Sequence, residues 1–98
     1  MDMRFEWDPD KAASNRAKHG VSFDLAMRAF ADPFALSVQD RIEGGEFRWQ
    51  LLGMVEGRVL LLVAHTVRDE RDGGETIRII SARRATAGER RRYEQQAF

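Results

Sequence analysis

The sequence predicts an α+β protein in which two helices precede a four-stranded antiparallel sheet and a short helix follows it, in the order α-α-β-β-β-β-α. Apolar residues recur at helical spacing as far as residue 32, and from Phe34 to Ala82 they follow the period of strands. No strand–helix–strand crossover interrupts that second region, so we expect a meander with helices packed on it. The length predicts a single domain, residues 1–98.

The two N-terminal helices are marked by their ends. Asp8 is a good N-cap, and Pro9 suits the first helical position because its missing N–H has no partner there. Gly20 is expected to end this helix in the left-handed conformation. Ser22 caps the second helix, and the residue pair Asp32-Pro33 ends it. The second helix has one apolar face, formed by Phe23, Ala26, Met27 and Phe30.

The middle of the chain alternates between apolar runs and polar turns. We expect the strands to cover residues 34–38, 47–55, 59–67 and 76–82. The intervening segments are a polar loop, Asp40 to Gly45, a tight turn at Glu56-Gly57, and a charged turn, Asp69 to Glu75. The third strand is almost entirely apolar up to His65, so it should lie at the centre of the sheet.

The C-terminal segment has the form of a capping box. Thr86 and Glu89 occupy its two positions, and a short helix from Arg90 to about Gln96 is expected to follow.

Composition limits the classes of function. The chain has no cysteine, which excludes a disulfide framework and thiolate chemistry. The N-terminal stretch has no secretory h-region, and no apolar run is long enough to span a bilayer, so we expect a cytoplasmic protein without a membrane partner. The net charge is zero, but residues 58–98 hold nine arginines against six acids. This excess indicates an anionic partner or, alternatively, a solvated basic helix.

Metal and cofactor motifs are missing from the sequence. His19 and His65 are far apart, and there is no HExxH motif, phosphate-cradling glycine loop or serine elbow. We therefore expect neither a metal nor a cofactor.

A set of cations with an imidazole remains, and metal-free RNA cleavage needs such groups. A base removes the 2′-hydroxyl proton, an acid protonates the leaving 5′-oxygen, and cations stabilise the charge that develops on the phosphate. The candidates are His65, Arg68, Glu70, Arg78 and Arg83, together with Lys18 and His19. The alternatives are that the arginines form surface ion pairs, that His65 is a hydrogen-bonded edge of the core, and that residues 69–72 form a solvated turn.

Several segments resemble the BrnT family of toxins from bacterial type II toxin–antitoxin operons. The resemblance is carried by FEWDPDKAASNRAKHGVSF at 5–23, AFADPFALSVQD at 29–40, GEFRWQLLG at 45–53, HTVRDE at 65–70 and IRIISARRATAGERRRYE at 77–94. It implies a fold similar to that of RelE-type ribonuclease toxins and an RNA-cleaving activity that arrests translation. It also implies a BrnA antitoxin, a ribbon-helix-helix protein through which the complex would bind operator DNA.

The resemblance also implies a set of site residues. It favours Arg68 and Arg83 as ligands of the phosphate and transition state and Lys18 as a cation or proton donor, and it argues against His65, our catalytic candidate from the chemistry, as an acid or base. The expected substrate-binding residues are His19, Arg48, Glu70 and Arg78. Trp7 and Trp49 are either base-stacking platforms or core residues.

A second function fits the same resemblance. The chain could be an inactive or weakly active relative that acts as a corepressor with its antitoxin, because a zero net charge is unusual for a nucleic-acid binder. Under either function we expect an even-numbered complex. The expected docking surface is the edge strand at residues 34–38 or the last helix.

Overall fold

The computed structural model describes residues 2–96, which form a five-stranded mixed sheet and three helices. The elements are β1 (Met3–Glu6), α1 (Pro9–His19), α2 (Phe23–Arg28) with a 3₁₀ turn (Ala29–Ala31), β2 (Leu36–Glu43), β3 (Glu46–Val55), β4 (Val59–Asp69), β5 (Glu75–Arg84) and α3 (Ala87–Gln96). The strand order is β1-β5-β4-β3-β2. The α+β class is confirmed. None of the helices in the described part of the chain has the length and apolar character needed to cross a membrane.

The prediction of four antiparallel strands, and with it the RelE-type order, is wrong in one respect. β1 forms a fifth strand at the edge of the sheet and runs parallel to β5, with Met3 opposite Glu75 and Glu6 opposite Arg78. β1 has only four residues, two of them exposed, so its sequence is too short to show a period of two. Its partner strand lies at the other end of the chain, so local sequence patterns could not reveal the pairing.

The predicted loop at residues 40–45 is also wrong, because β2 continues to Glu43. A two-residue turn at Gly44 and Gly45 then reverses the chain, and both glycines have the positive φ that such a turn requires. The far half of β2 is exposed on both faces, so it lacks the alternation that predicts a strand. A bulge at Asp40 interrupts its pairing with β3.

The predicted helix caps are confirmed, but α2 ends at Arg28 and the 3₁₀ turn carries the chain on to Ala31. Asp8 accepts a hydrogen bond from the second helical amide at 2.9 Å, and Ser22 accepts one from Leu25 N at 3.1 Å. Gly20 ends α1 with φ 70°. The capping box closes through Thr86 N to Glu89 Oε1 at 2.8 Å and Glu89 N to Thr86 Oγ1 at 3.2 Å. α3 begins at Ala87, three residues before the predicted start.

The sheet has two unlike faces. α1, α2 and the 3₁₀ turn cover one of them, which we call the helix face, and the main core lies beneath them. That core consists of Val21, Phe23, Ala26, Ala29, Leu51, Val55, Leu61, Val63, Ile77, Ile79 and Ala82. On the opposite face α3 covers a smaller cluster formed by Leu52, Leu60, Leu62 and Tyr93. We call this second side of the sheet the open face, since α3 covers only one end of it.

Close contacts at two points join the helices to the sheet. Gly53 lets the 3₁₀ turn lie directly on β3, because a Cβ at this position would overlap the carbonyl of Ala29. Below the turn, Asp32 accepts hydrogen bonds from the Tyr93 hydroxyl and from Met54 N. Burial opposes ionisation of Asp32, but these hydrogen bonds lower its pKa. Burial and the contact with Asp32 raise the pKa of Tyr93 to about 12.

Asn15 is the buried polar residue that joins α1 to the sheet. Its amide oxygen accepts from Ala82 N at 3.1 Å, and its Nδ2 donates to Ala82 O at 2.8 Å and to Val21 O at 3.0 Å. β1 pairs with β5 only as far as Arg78, so Ala82 lies on a free edge of β5. The Asn15 amide takes the place that another strand would occupy there.

We predict that Asn15→Asp destabilises the protein about as much as Asn15→Ala, by roughly 2–4 kcal/mol. The aspartate keeps the shape of the side chain, but an oxygen replaces the donor that faces two carbonyls. Urea unfolding of both variants measures the loss, with the exposed neighbour Ser14→Ala as the control. An Asn15→Asp variant as stable as the unmodified chain would contradict this role of the amide.

Candidate functional site

A row of polar side chains crosses the open face of the sheet. Arg48 on β3 lies opposite Thr66 on β4, Thr66 lies opposite Arg78 on β5, and Arg78 lies opposite Glu6 on β1. Directly opposed residues in a sheet point to the same side. The row therefore presents two arginines and one carboxylate across four strands, and we call it the arginine row.

A bulge in β5 brings Arg83 to the same face. Arg78 and Arg83 are an odd number of positions apart, so a regular strand would place them on opposite sides. The register shifts at Ala64/His65, where Ile80 is the extra residue of β5. Arg83 consequently pairs with Leu62, which shares the face of Thr66.

Half-buried residues form the surface between the arginine row and Arg83. Its floor is formed by Gln50, Ala64 and Ser81, which lie opposite one another on three strands and are half-buried. The strand rise places Arg83 about 13 Å from the arginine row along the sheet. We call this surface, from the arginine row to Arg83, the arginine face. Arginines thus lie on both sides of a half-buried floor, and we call this strip of surface the channel and its two sides the banks.

The two arginines favoured by the sequence are not neighbours. Arg68 lies beyond the arginine row and Arg83 at the opposite end of the face, about 20 Å away along β4. Arg68 donates to Glu70 at 2.9 Å, whereas Arg83 donates to Glu89. The structure therefore brings Arg48, Arg78 and Arg83 to one surface and leaves Arg68 at its outer margin.

Glutamates neutralise the arginines of the face. Glu6 bridges Arg78, at 3.0 Å, and Arg68, at 3.4 Å. The hydrogen bond from Arg78 is the main cause that lowers the pKa of Glu6. Glu43 lies 3.6 Å from Arg48. Because these pairs are partly exposed, each contributes little to stability and can exchange for another anion.

Arg83 has the most firmly held guanidinium of the set. Two of its nitrogens donate to the two oxygens of Glu89, each at 2.9 Å. The same carboxylate closes the capping box of α3. The hydrogen bond from Arg83 lowers the pKa of Glu89, and Glu89 in turn raises the pKa of Arg83. Arg83 is thus both a cation on the face and a link between β5 and α3.

His65 lies in the core on the helix face, away from the arginines. Only 3% of it is exposed, and its ring packs edge-on against Phe30 with the centroids 4.8 Å apart. Nδ1 lies 3.1 Å from the carbonyl oxygen of Val63. Burial lowers the pKa of His65, so the ring is neutral at neutral pH. This position suits packing and gives the ring no path to a phosphate on the open face.

Lys18 and His19 lie in the last turn of α1, at the edge of the sheet next to the contact between Asn15 and Ala82. Within residues 2–96, neither of them forms an ion pair with the arginine face. Cations at this position interact favourably with the dipole of α1.

The remaining candidates lie in the charged turn and beside the core. Glu70 follows β4 and pairs with Arg68. Trp7 packs edge-on against Phe23 and is half-buried, and Trp49 lies opposite His65 on the helix face. Neither tryptophan ring faces the channel. In the described part of the chain no group of three His, Cys, Asp or Glu side chains is arranged to hold a metal ion.

Comparison with known proteins gives the family. The model of a family described as "Ribonuclease toxin, BrnT, of type II toxin-antitoxin system" matches residues 7–89. The chain belongs to the BrnT family. Among solved structures, the crystal structure of the Brucella abortus ribonuclease toxin BrnT is similar, with a TM-score of 0.65 and 26% sequence identity. The match covers 87% of this chain and 99% of that one. A comparison with curated proteins gave no match.

Membership in the BrnT family confirms the resemblance seen in the sequence. The family is one of ribonuclease toxins in type II toxin–antitoxin systems, so RNA is the class of substrate and an antitoxin is the class of partner. The similarity to the Brucella toxin covers the mixed sheet and helices described above.

Sequence reasoning missed Glu6 and the floor of the arginine face. Glu6 belonged to a strand that was not predicted, and the Ala64 and Ser81 floor depends on strand register. The bulge at Ile80 was not visible in the sequence either. In a regular strand Arg78 and Arg83 would lie on opposite faces of the sheet, so the sequence alone did not bring them together.

We predict that His65 lowers stability in mild acid. Its pKa in the folded protein lies below the unfolded value of 6.5, so the unfolded chain binds the proton first. Stability is therefore full above pH 6.5 and falls as the pH drops towards the folded pKa. Urea unfolding across this range, compared between the unmodified chain and His65→Phe, measures the effect. A His65→Phe variant with the same fall in stability would show that other groups cause it.

Proposed function

We propose that this chain is a metal-independent endoribonuclease that binds single-stranded RNA across the arginine face. The observation that carries the proposal is the open channel with Arg48 and Arg78 on one bank and Arg83 on the other. The sugar–phosphate backbone of RNA is a flexible polyanion, and the planar guanidinium fork binds phosphate oxygens in pairs. The floor of Ala64 and Ser81 leaves space for the backbone to approach the sheet.

Cleavage in this channel would follow the usual course for RNA. The 2′-oxygen attacks the adjacent phosphorus as its proton passes to water, the bond to the 5′-oxygen breaks as that oxygen takes up a proton from water, and a 2′,3′-cyclic phosphate and a 5′-hydroxyl are formed. Negative charge accumulates on the non-bridging oxygens during the attack. We assign its stabilisation to Arg78 and Arg83, with Arg48 holding the substrate, because these cations supply the positive charge that other nucleases obtain from metal ions.

Arg68 and the residues of the α1 terminus take outer roles in this proposal. Arg68 lies beyond the arginine row, where it can bind the phosphate that precedes or follows the cleaved one. Lys18 and His19 lie beside the sheet rather than above the channel, so we place them outside the reacting group. His65 serves the core, since its buried ring faces Phe30.

We further propose that the activity arrests translation in the cytoplasm and that a BrnA-type ribbon-helix-helix antitoxin neutralises it. Operator DNA would then be bound only through the antitoxin. Exposed apolar side chains on β2, on β3 and in the turn before β2 support a protein partner. These are Phe34, Val38, Ile42 and Phe47, with exposed fractions of 56%, 41%, 62% and 52%. Ribbon-helix-helix proteins dimerise, so the complex should be even-numbered, and a strict one-to-one heterodimer in solution would contradict that assembly.

A corepressor role without strong nuclease activity is the alternative. It is favoured by the zero net charge and by the glutamates that already pair with the arginines of the face. Expression of the chain alone separates the two functions. Growth arrest with fragmented RNA supports the nuclease, whereas normal growth with soluble protein supports the corepressor.

We predict that Arg78→Ala and Arg83→Ala each lower kcat/KM for RNA cleavage by about 100-fold or more, because each removes a charge that faces the transition state. The assay uses the purified chain, freed of antitoxin, with single-stranded RNA read on a gel. Activity should persist in EDTA. Arg84→Ala is the matched control, since this exposed neighbour pairs with Leu61 on the other side of β5.

Glu89→Gln separates the two roles of Arg83. Glutamine still closes the capping box but removes the charge that holds the guanidinium. If Arg83 acts on the phosphate, Glu89→Gln keeps its activity. A loss in Glu89→Gln as large as that in Arg83→Ala would mean that Arg83 acts by anchoring α3. Full activity in Arg78→Ala would place the reaction elsewhere.

A further inference from the structure

Glu6 lies at the end of the arginine row, on the edge strand β1. Its two carboxylate oxygens contact different arginines: Oε2 lies 3.0 Å from Arg78 Nη1, and Oε1 lies 3.4 Å from Arg68 Nη2. One anion with two oxygens thus spans two guanidinium groups from neighbouring strands. Two non-bridging oxygens of a phosphate would make the same contacts with the same pair.

The position of Glu6 in β1 places its carboxylate beside the two arginines, but the exposed side chain can move away from them. β1 holds Glu6 in register with Arg78, and Arg68 lies on β4, the strand on the other side of β5. The side chains of this trio are 36% to 54% exposed. Displacing a carboxylate from such an exposed pair costs little, because water can replace the lost contacts.

The protonation state of Glu6 favours a binding role over proton transfer. The hydrogen bond from Arg78 is the main cause that lowers its pKa, with Arg68 adding to the effect. At neutral pH the group is therefore a carboxylate with little tendency to take up a proton. A general base works best with a pKa near the working pH.

We propose that Glu6 is a resident substitute for phosphate, which holds Arg68 and Arg78 in position and is displaced when a phosphate of the RNA binds between them. The identity of this ligand rests on the proposed function. The site is a second phosphate subsite, which shares Arg78 with the adjacent channel where cleavage would occur. Since Glu6 competes with each incoming anion, the face discriminates against small anions and in favour of a polyanion that binds at several points.

Binding of a strand that cannot be cleaved tests the proposal. The probe is a short, fluorescently labelled single strand of 2′-O-methyl RNA, which lacks the attacking hydroxyl. We expect Glu6→Gln to bind it about three- to tenfold more tightly than the unmodified chain, because the competing carboxylate is gone. Arg78→Ala in the Glu6→Gln background should remove this gain.

Asp72→Asn is the matched control. This substitution changes the net charge by the same amount. Asp72 lies in the turn between β4 and β5, where it pairs with Arg4 of β1 but makes no bond to Arg68 or Arg78. Its affinity should stay within about twofold of the unmodified chain. An equal gain in Asp72→Asn would reduce the effect to net charge and overturn the proposal.

Other outcomes are equally decisive. Unchanged or weaker binding by Glu6→Gln overturns the substitute role, and a loss of cleavage with unchanged binding would make Glu6 a proton-transfer group instead. Glu6→Asp, which is too short to bridge both arginines, repeats the test if Glu6→Gln fails to fold, and should also bind more tightly. A chain that binds the probe but leaves RNA intact contradicts the nuclease function without affecting this result.

Discussion

The amide of Asn15 is the contact on which the arrangement of this protein depends. β1 covers the edge of β5 only as far as Arg78, and the Asn15 side chain completes the hydrogen bonds of that edge at Ala82. The same amide holds Val21, so it also determines how α1 turns into α2. Because α1 is held against β5, β1, which directly precedes α1, also lies beside β5. Glu6 therefore meets Arg78.

The arginine face follows from this edge and from one irregularity. The bulge at Ile80 turns Arg83 to the side of Arg78, and α3 then fastens Arg83 through Glu89. Each arginine of the face has a carboxylate partner in the folded chain, which is consistent with a net charge of zero. Such a surface binds anions by exchange rather than by offering bare cations, so its affinity depends on how easily the carboxylates leave.

Local chemistry explains which parts of the fold could be predicted from the sequence. Asp8, Ser22 and Thr86 act on amides a few residues away, so their caps could be recognised, as could the apolar period of β3 to β5. β1 and the far part of β2 could not, because they bury too little to show a pattern.

The sequence predicted which types of residue form the candidate site, but it did not predict how they are arranged. Arginines were expected at the ends of the strands, and three of them share one face. Their grouping depends on the strand register and on one extra residue in β5, and both are tertiary properties. For the same reason His65, which follows an apolar run, could not be assigned to one face of the sheet before its neighbours were known.

The most direct test of RNA binding at this face is an NMR titration with uncleavable 2′-O-methyl RNA that follows arginine Nε–Hε signals and alanine methyl groups. If RNA lies across the channel, the signals of Arg48, Arg78 and Arg83 shift together with the methyl group of Ala64, which forms the floor. The methyl group of Ala13, on exposed α1, stays unchanged. Shifts confined to α1, with Ala64 unmoved, would place RNA on the helices and contradict an active site on the open face.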